Sequence, residues 1–202
     1  MSAVSFALFD TLVDADLPDD PAAAVGDELR GRGVDVPDDW ADAYRETRID
    51  PPAGAEVPLP AHVSRALASR GVDAPGNAAR RAVVAAFDPS VRTRDGAVDA
   101  VARAREDGPV GLLANCAVPE LVGRVLVRSE LSRDDFDAVV TSVACGWRKP
   151  DPRAFERVAD SLGVDSAGLT HVGVDPTVEG GVTAVDGRFV RADANGPVPR
   201  IG

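Results

Sequence analysis

Four polar residues follow short apolar runs of the chain and carry groups that could act on a small charged molecule. Asp10 and Thr11 end the first apolar run, Asn115 follows the second, and Lys149, the only lysine of the chain, comes after the third. An ammonium group, a hydroxyl and an amide can each hold an anion by hydrogen bonds. An aspartate can attack carbon or phosphorus and form an ester that water later cleaves. These positions are therefore the first place to look for chemistry.

The elements that must position these residues alternate along the second half of the chain. Helical patterns at 95–107, 118–129 and 151–162 separate apolar runs that are short enough for buried strands. This alternation predicts an α/β fold with a doubly wound parallel sheet, whose two faces are covered by helices. In such a sheet, ligands bind at the carboxyl ends of the strands. The four polar residues stand at or just beyond those ends.

A block of helical patterns lies between the first strand and the alternating region. Four helices are predicted, the first beginning near Pro21 and the others at about 38–48, 60–70 and 75–87. We therefore expect a helical cap inserted after the first strand, with the core formed by 1–14 and 90–202 and the cap by 15–89.

The charge balance excludes several classes of partner. The chain has 33 acidic and 22 basic side chains and a net charge of -11, which repels nucleic acid and anionic membranes. No apolar run approaches the roughly 20 residues that span a bilayer, and no basic segment precedes an apolar one at the N-terminus. Two cysteines, Cys116 and Cys145, do not make a disulfide framework, so we expect a reducing cytoplasm. No pattern indicates a particular protein partner.

The kinds of charged residue are also informative. Of the basic residues 21 are Arg and one is Lys, and 25 of the acids are Asp. An acidic surface with few lysines keeps a protein soluble in concentrated salt, which predicts a halophilic protein. A GC-rich genome would also replace Lys by Arg, and this alternative stays open.

Two segments resemble the haloacid dehalogenase (HAD) superfamily of hydrolases. They are Phe9–Asp14, with the sequence FDTLVD, and Gly146–Phe155, with the sequence GWRKPDPRAF. The order of the elements resembles the same superfamily over essentially the whole chain. The resemblance implies a Rossmann-like core with a helical cap, and a phosphatase or dehalogenase lineage.

In that superfamily an aspartate at the end of the first strand is the nucleophile, and acids of the fourth motif usually hold Mg²⁺. A hydroxyl of the second motif and the lysine of the third hold the charged group of the substrate. The resemblance therefore implies that Lys149 is catalytic and that Lys149, Thr11 and Asn115 bind a small anionic substrate such as a phosphate compound.

The sequence departs from the family pattern at three of the four motifs. Ala7 stands at the position of the nucleophile, Ala114 at that of the hydroxyl, and Val174 at that of the leading metal acid. Alanine cannot attack a substrate, and neither alanine nor valine can bind a cation. The sequence thus predicts a catalytically impaired protein whose binding of Mg²⁺ is weakened or lost.

Alternatively, Asp10 or Asp175 could replace the missing groups, and the protein would be an active hydrolase of a small phosphorylated or halogenated compound. Asp10 could serve as the nucleophile if a sharp turn re-aims it, since the strand period otherwise points it away from the face of Ala7. Asp175 and Glu179 could serve as metal ligands, although Asp175 equally fits a turn residue before Pro176.

Two other reactive side chains are predicted to be structural. His171 lies inside an apolar run and fits a hydrogen-bonded core histidine better than a metal ligand. Cys116 follows Asn115 and fits a buried, inert thiol. No metal-type spacing joins the histidines and cysteines, so a zinc site is not expected.

Overall fold

The computed structural model describes residues 2–201 and has a five-stranded parallel sheet at its centre. The strands are β1 (Ala3–Phe6), β2 (Val13–Ala15), β3 (Val91–Thr93), β4 (Val110–Ala114), β5 (Ala138–Thr141), β6 (Leu169–Gly173) and β7 (Arg188–Arg191). The order in the central sheet is β5-β4-β1-β6-β7, and every neighbouring pair is parallel. This confirms the predicted α/β fold. The short β2 and β3 pair with each other in antiparallel fashion, which the sequence did not predict.

Within the described residues, eight α-helices connect and cover the strands. They are α1 (Pro21–Arg30), α2 (Trp40–Arg45), α3 (Leu59–Ala68), α4 (Ala78–Ala86), α5 (Ala97–Asp107), α6 (Leu121–Arg128), α7 (Ser142–Cys145) and α8 (Pro152–Leu162), with 3₁₀ turns at 133–135, 166–168 and 179–185. None of the helices within residues 2–201 has the length and apolarity needed to cross a bilayer.

Local capping chemistry sets the ends of the best-defined helices. The Asp151 side chain accepts a hydrogen bond from the backbone of Arg153, and Pro152 occupies the first turn of α8. Gly163 ends α8 with a φ of 69°, a conformation that glycine adopts without strain. The second helix is shorter than predicted, since Glu46 is already extended.

Side chains alternate between two apolar layers along each central strand. On β4, Leu112 packs with α5, α6 and the helices of residues 21–86, whereas Leu113 packs with Phe155 and Val158 of α8. All five residues of β4 are buried, as expected for a strand covered on both faces. Helix α8 lies close to the sheet because Gly111 has no side chain: a Cβ there would be 3.0 Å from Val158.

Helices α1–α4 form a helical block, residues 21–86, between β2 and β3. Val25, Leu67 and Val83 of the block belong to the same buried cluster as Phe6 and Leu112 of the sheet. The chain enters the helical block through β2 and leaves it through β3. These two strands pair with each other, with Val13 opposite Thr93.

Candidate functional site

The carboxyl ends of β1, β4 and β6 meet at one edge of the central sheet. Ala7 follows β1 and donates its backbone N–H to the carbonyl of Val172 at 2.9 Å. Ala114 is the last residue of β4, and Val174 follows the end of β6. The three positions that depart from the family pattern thus lie at the ends of three neighbouring strands, and Ala7 and Ala114 are buried there.

Lys149 reaches this edge and is held by two oxygen atoms. Its Nζ donates to the carbonyl of Leu113 at 2.8 Å and lies 2.6 Å from Oε2 of Glu179. The Lys149 side chain is only 2% exposed. Burial lowers its pKa, and the Glu179 carboxylate opposes part of that effect. The lysine is therefore part of a buried ion pair with an acid that lies 30 positions further along the chain.

Glu179 also binds His171, which extends the ion pair into the core. His171 Nε2 is 2.7 Å from Oε2 of Glu179, and Nδ1 is 2.7 Å from Oγ of Ser5. Burial lowers the pKa of His171 to about 4, so the ring is neutral at pH 7. Because a carboxylate only accepts, we assign the ring proton to Nε2, which leaves Nδ1 to accept from Ser5. The predicted hydrogen-bonded core histidine is found in the structure.

The charge of Glu179 is maintained by these two neighbours. Burial by itself would raise the pKa of Glu179, but the hydrogen bond from His171 and the charge of Lys149 outweigh it and hold the pKa below its usual range. Sequence reasoning marked Glu179 as a weak metal ligand. In the structure its carboxylate is the counter-charge of Lys149.

Two glycines let the 179–185 turn approach the lysine. A Cβ on Gly173 would be 2.4 Å from Cγ of Glu179, and one on Gly181 would be 2.3 Å from the carbonyl oxygen of Pro150. Any side chain at these positions would push Glu179 away from the end of β6 or the turn away from the Lys149 loop. From the sequence, a glycine at position 173 indicates that another segment packs closely here, but it does not identify that segment.

Asn115 positions the backbone of Lys149. Its Oδ1 accepts from the backbone N–H of Lys149 at 2.8 Å, and its Nδ2 donates to the Lys149 carbonyl at 2.9 Å. Both ends of the amide are engaged with the backbone of one residue, Lys149. Asn115 and Lys149, predicted as binding residues, are therefore brought together, with the amide holding the loop that carries the ammonium group.

Asp10 and Thr11 lie in a sharp turn after Phe9. Asp10 has a φ of 60°, is exposed, and its carbonyl accepts a hydrogen bond from the buried Arg94. Thr11 is buried, and its hydroxyl has no hydrogen-bond partner within residues 2–201. The sharp turn that would be needed to re-aim Asp10 exists. Arg94, which sequence reasoning missed, also donates to the carbonyls of Asp193, Ala194 and Gly196 and so ties this turn to the C-terminal segment.

Asp175 and Glu179, the two candidate metal ligands, have different partners. Asp175 is exposed and accepts from the backbone N–H and the hydroxyl of Thr177, at 2.9 and 2.7 Å. These hydrogen bonds lower the pKa of Asp175. No group of three or more His, Cys, Asp or Glu side chains within residues 2–201 is arranged to hold a metal ion. The residues at this edge thus do not offer Mg²⁺ the cluster of carboxylate oxygens it prefers.

A short segment of the helical block lies against the loop that carries Lys149. We call residues 53–56 the strap. Its Ala55 forms a β-bridge with Trp147, and the backbone N–H of Arg148 donates to the carbonyl of Gly54 at 3.0 Å. The local sequence does not reveal this pairing, because it depends on a segment about 90 positions away.

Hydrogen bonds through the Ser142 side chain hold the strap in place. Ser142 Oγ donates to Oε2 of Glu56 at 2.6 Å and accepts from the backbone N–H of Cys116 at 2.7 Å. Cys116 is buried, and burial is the main cause that raises the pKa of its thiol. The predicted buried thiol is found, and the strap is joined to the loop after β4 through one hydroxyl.

The chain resembles several solved structures over nearly its whole length. A 2-haloacid dehalogenase from Pseudomonas syringae pv. Tomato DC3000 is 18% identical with a TM-score of 0.64, over 95% of this chain and 86% of that one. The protein CbbY from Rhodobacter sphaeroides, in complex with phosphate, is 17% identical with a TM-score of 0.61, over 96% and 86%. A HAD-family enzyme from Bacteroides thetaiotaomicron, in complex with magnesium and inorganic phosphate, is 14% identical with a TM-score of 0.60, over 97% and 96%.

The similarity is one of structure. A scan against protein-family models finds no match, and neither does a search of the curated proteins. The strand order, the strand-end position of the motifs and the alignments over most of both chains agree with each other. This chain has the fold of the haloacid dehalogenase superfamily.

Proposed function

We propose that this chain is a HAD-fold protein of the phosphatase and dehalogenase lineage whose site no longer catalyses hydrolysis. The helical block, in this proposal, acts as a cap over the carboxyl edge of the sheet, and the compounds related to the site are small and anionic. The observation that carries the proposal is the buried Ala7 at the end of β1, where the lineage has its nucleophile.

The loss of the nucleophile is the largest effect. A methyl group cannot form the ester intermediate, and removal of a nucleophile commonly lowers kcat by a factor on the order of 10⁴ to 10⁶. Asp10 is exposed in a left-handed turn, three positions beyond Ala7. The Ala114 and Val174 substitutions remove a hydroxyl and a metal acid as well.

The electrostatics of Lys149 support the same conclusion. The Glu179 carboxylate is 2.6 Å from Nζ and already neutralises the ammonium charge. An anion at Lys149 would compete with this carboxylate, and separating the buried pair is unfavourable. We propose that the intact protein therefore holds phosphate weakly at this edge, and that binding of Mg²⁺ there is weakened or lost.

The structural relatives support the class of compound. CbbY was solved with phosphate, and the Bacteroides enzyme with magnesium and inorganic phosphate. The Lys149 ammonium and the Thr11 hydroxyl at this edge suit such an anion, and Asn115 holds the Lys149 backbone in place beside them. We therefore infer the ligand class, a small anion, from the lineage, and the loss of hydrolysis from the residues Ala7, Ala114 and Val174.

The test is a hydrolase panel with four versions of the full chain. Aryl phosphates, sugar phosphates and 2-haloacids are supplied with and without Mg²⁺ to the native chain, to Asp10→Asn, to Asp175→Asn, and to the triple variant Ala7→Asp, Ala114→Ser, Val174→Asp. We expect background rates from the first three and Mg²⁺-dependent phosphate release from the triple variant.

The alternative of an active hydrolase has its own signature in that panel. Native turnover of about 1 s⁻¹ or more, in the range of ordinary enzymes, contradicts the proposal. If such turnover disappears in Asp10→Asn, the exposed aspartate is the substitute nucleophile. If the native turnover depends on Mg²⁺ and disappears in Asp175→Asn, Asp175 has replaced the metal acid.

A further inference from the structure

A groove at the junction of the helical block and the sheet domain carries an unusual share of positive charge. It has a volume of about 500 Å³ and lies between the end of α1, helix α4 and the start of α6. We call it the arginine groove. Its charged lining residues are four arginines and two acids: Arg32, Arg80, Arg81, Arg124, Asp88 and Glu120.

The groove reverses the charge balance of the rest of the chain. Acids outnumber bases by 33 to 22 overall, whereas arginines outnumber acids by four to two in this lining. Three of the four arginines already face an acid, in the pairs Arg32–Glu28, Arg80–Glu120 and Arg124–Asp88. Arg81 forms no ion pair within residues 2–201. A patch of this sign on a strongly acidic protein concentrates anions locally against the field of the whole molecule.

Arg124 forms a fixed part of the wall. Its Nη1 donates to the carbonyl of Val84 and to Asp88, both at 2.9 Å, and its Nη2 donates to the carbonyl of Phe87 at 2.9 Å. Its Nε is buried and has no acceptor within residues 2–201. Because these bonds hold the guanidinium in place, its positive charge does not have to be ordered when a ligand arrives.

The second wall is adjustable. Arg80 and Arg81 are neighbours on the first turn of α4, and both are exposed. Val84 and Ala85, one turn further on, provide a small apolar floor. Guanidinium groups bind phosphoryl oxygens in bidentate fashion. A fixed arginine on one side, with the unpaired Arg81 and the exposed Arg80 on the other, therefore suits a compact ligand with several such oxygens.

We propose that the arginine groove binds a small phosphorylated molecule with at least two negative charges. The groove is open to solvent, so the arginine charges rather than enclosure would hold the ligand. A long nucleic acid is not expected, because its backbone would extend beyond the groove along a protein with a net charge of -11. The lining contains neither Lys149 nor the residues at the strand ends, so this site is separate from the carboxyl edge of the sheet.

The proposal is tested by titration calorimetry of the full chain with pyrophosphate at fixed ionic strength. We expect one site per chain and at least a tenfold weaker Kd for the double variant Arg80→Gln, Arg81→Gln, since each arginine contributes charged hydrogen bonds. Arg65→Gln is the matched control, because Arg65 is exposed on α3 and has no carboxylate partner within residues 2–201. Its Kd should equal that of the native chain.

A variant that binds pyrophosphate more tightly than the native chain tests the groove without the possibility that the variant has simply lost its fold. Glu120→Gln removes the acid that pairs with Arg80, so pyrophosphate should bind at least threefold more tightly. The proposal is overturned if the native chain does not bind pyrophosphate, if the Arg80/Arg81 double variant binds as well as the native chain, or if Arg65→Gln weakens binding equally. Unchanged affinity in Glu120→Gln also counts against it.

Discussion

Replacing Glu179 by glutamine tests the assignment of the buried ion pair. The change removes one charge with almost no change in volume, and it leaves the Lys149 ammonium in the core with neutral acceptors alone, among them the Leu113 carbonyl at 2.8 Å. Breaking a buried pair by removing one partner typically lowers the free energy of unfolding by about 3–5 kcal/mol. The variant is expected to lie in that range at pH 7.

The lysine itself sets an upper limit to this loss. If Lys149 sheds its proton rather than remain charged, the cost at pH 7 is about 1.36 kcal/mol for each pH unit below its ordinary pKa of about 10.4, or about 5 kcal/mol in all. The folded variant then binds fewer protons than the unfolded chain, so its stability rises with pH relative to the native protein. Near pH 9.5 the destabilisation should fall to about 1–2 kcal/mol.

The assay is urea unfolding of the native chain and the variant at pH 7 and pH 9.5. The double variant Lys149→Met, Glu179→Gln is the matched control, because it removes both charges and should lose less stability at pH 7 than the sum of the single changes. A loss below 1 kcal/mol in Glu179→Gln at pH 7, or a loss that does not change with pH, would refute the assignment of a charged, buried pair.

Three further measurements test other parts of the structure. The pKa of His171 is lowered to about 4 in the folded state. The free energy of unfolding should therefore fall by up to about 3 kcal/mol as the pH drops from 6.5 to 4. Urea midpoints measured across this range should fall more steeply in the native chain than in His171→Gln. Ser142→Ala removes the hydroxyl between Glu56 and the Cys116 backbone. This change should lower the free energy of unfolding by about 1–3 kcal/mol, and the Cys116 thiol should react faster with a thiol reagent. Ser161→Ala, on the exposed face of α8, is the control and should have neither effect. If the acidic composition is an adaptation to salt, the melting temperature should rise clearly between dilute buffer and molar KCl; a flat or falling curve would favour genome composition as the cause of the missing lysines.

The site shows where prediction from sequence succeeds. The short apolar runs and the amphipathic stretches are local patterns, and they identify most strands and helices of the sheet domain. The placing of Ala7, Ala114 and Val174 at the edge follows, because parallel strands present their carboxyl ends together. The antiparallel β2–β3 pair was missed, since three residues such as Val13–Ala15 carry too little periodicity to predict a strand.

What the sequence determined by itself is the α/β architecture, the edge at which the polar residues gather and the absence of a carboxylate at Ala7, because each follows from residue identity and local spacing. Only the tertiary structure decided how the remaining groups are used. Lys149 faces Glu179 rather than Asp10 or Asp175, since the 179–185 turn packs against the end of β6 where Gly173 leaves room. Such a choice depends on which distant side chain can reach a buried ammonium group at 2.6 Å, and burial makes that contact strong enough to decide the partner.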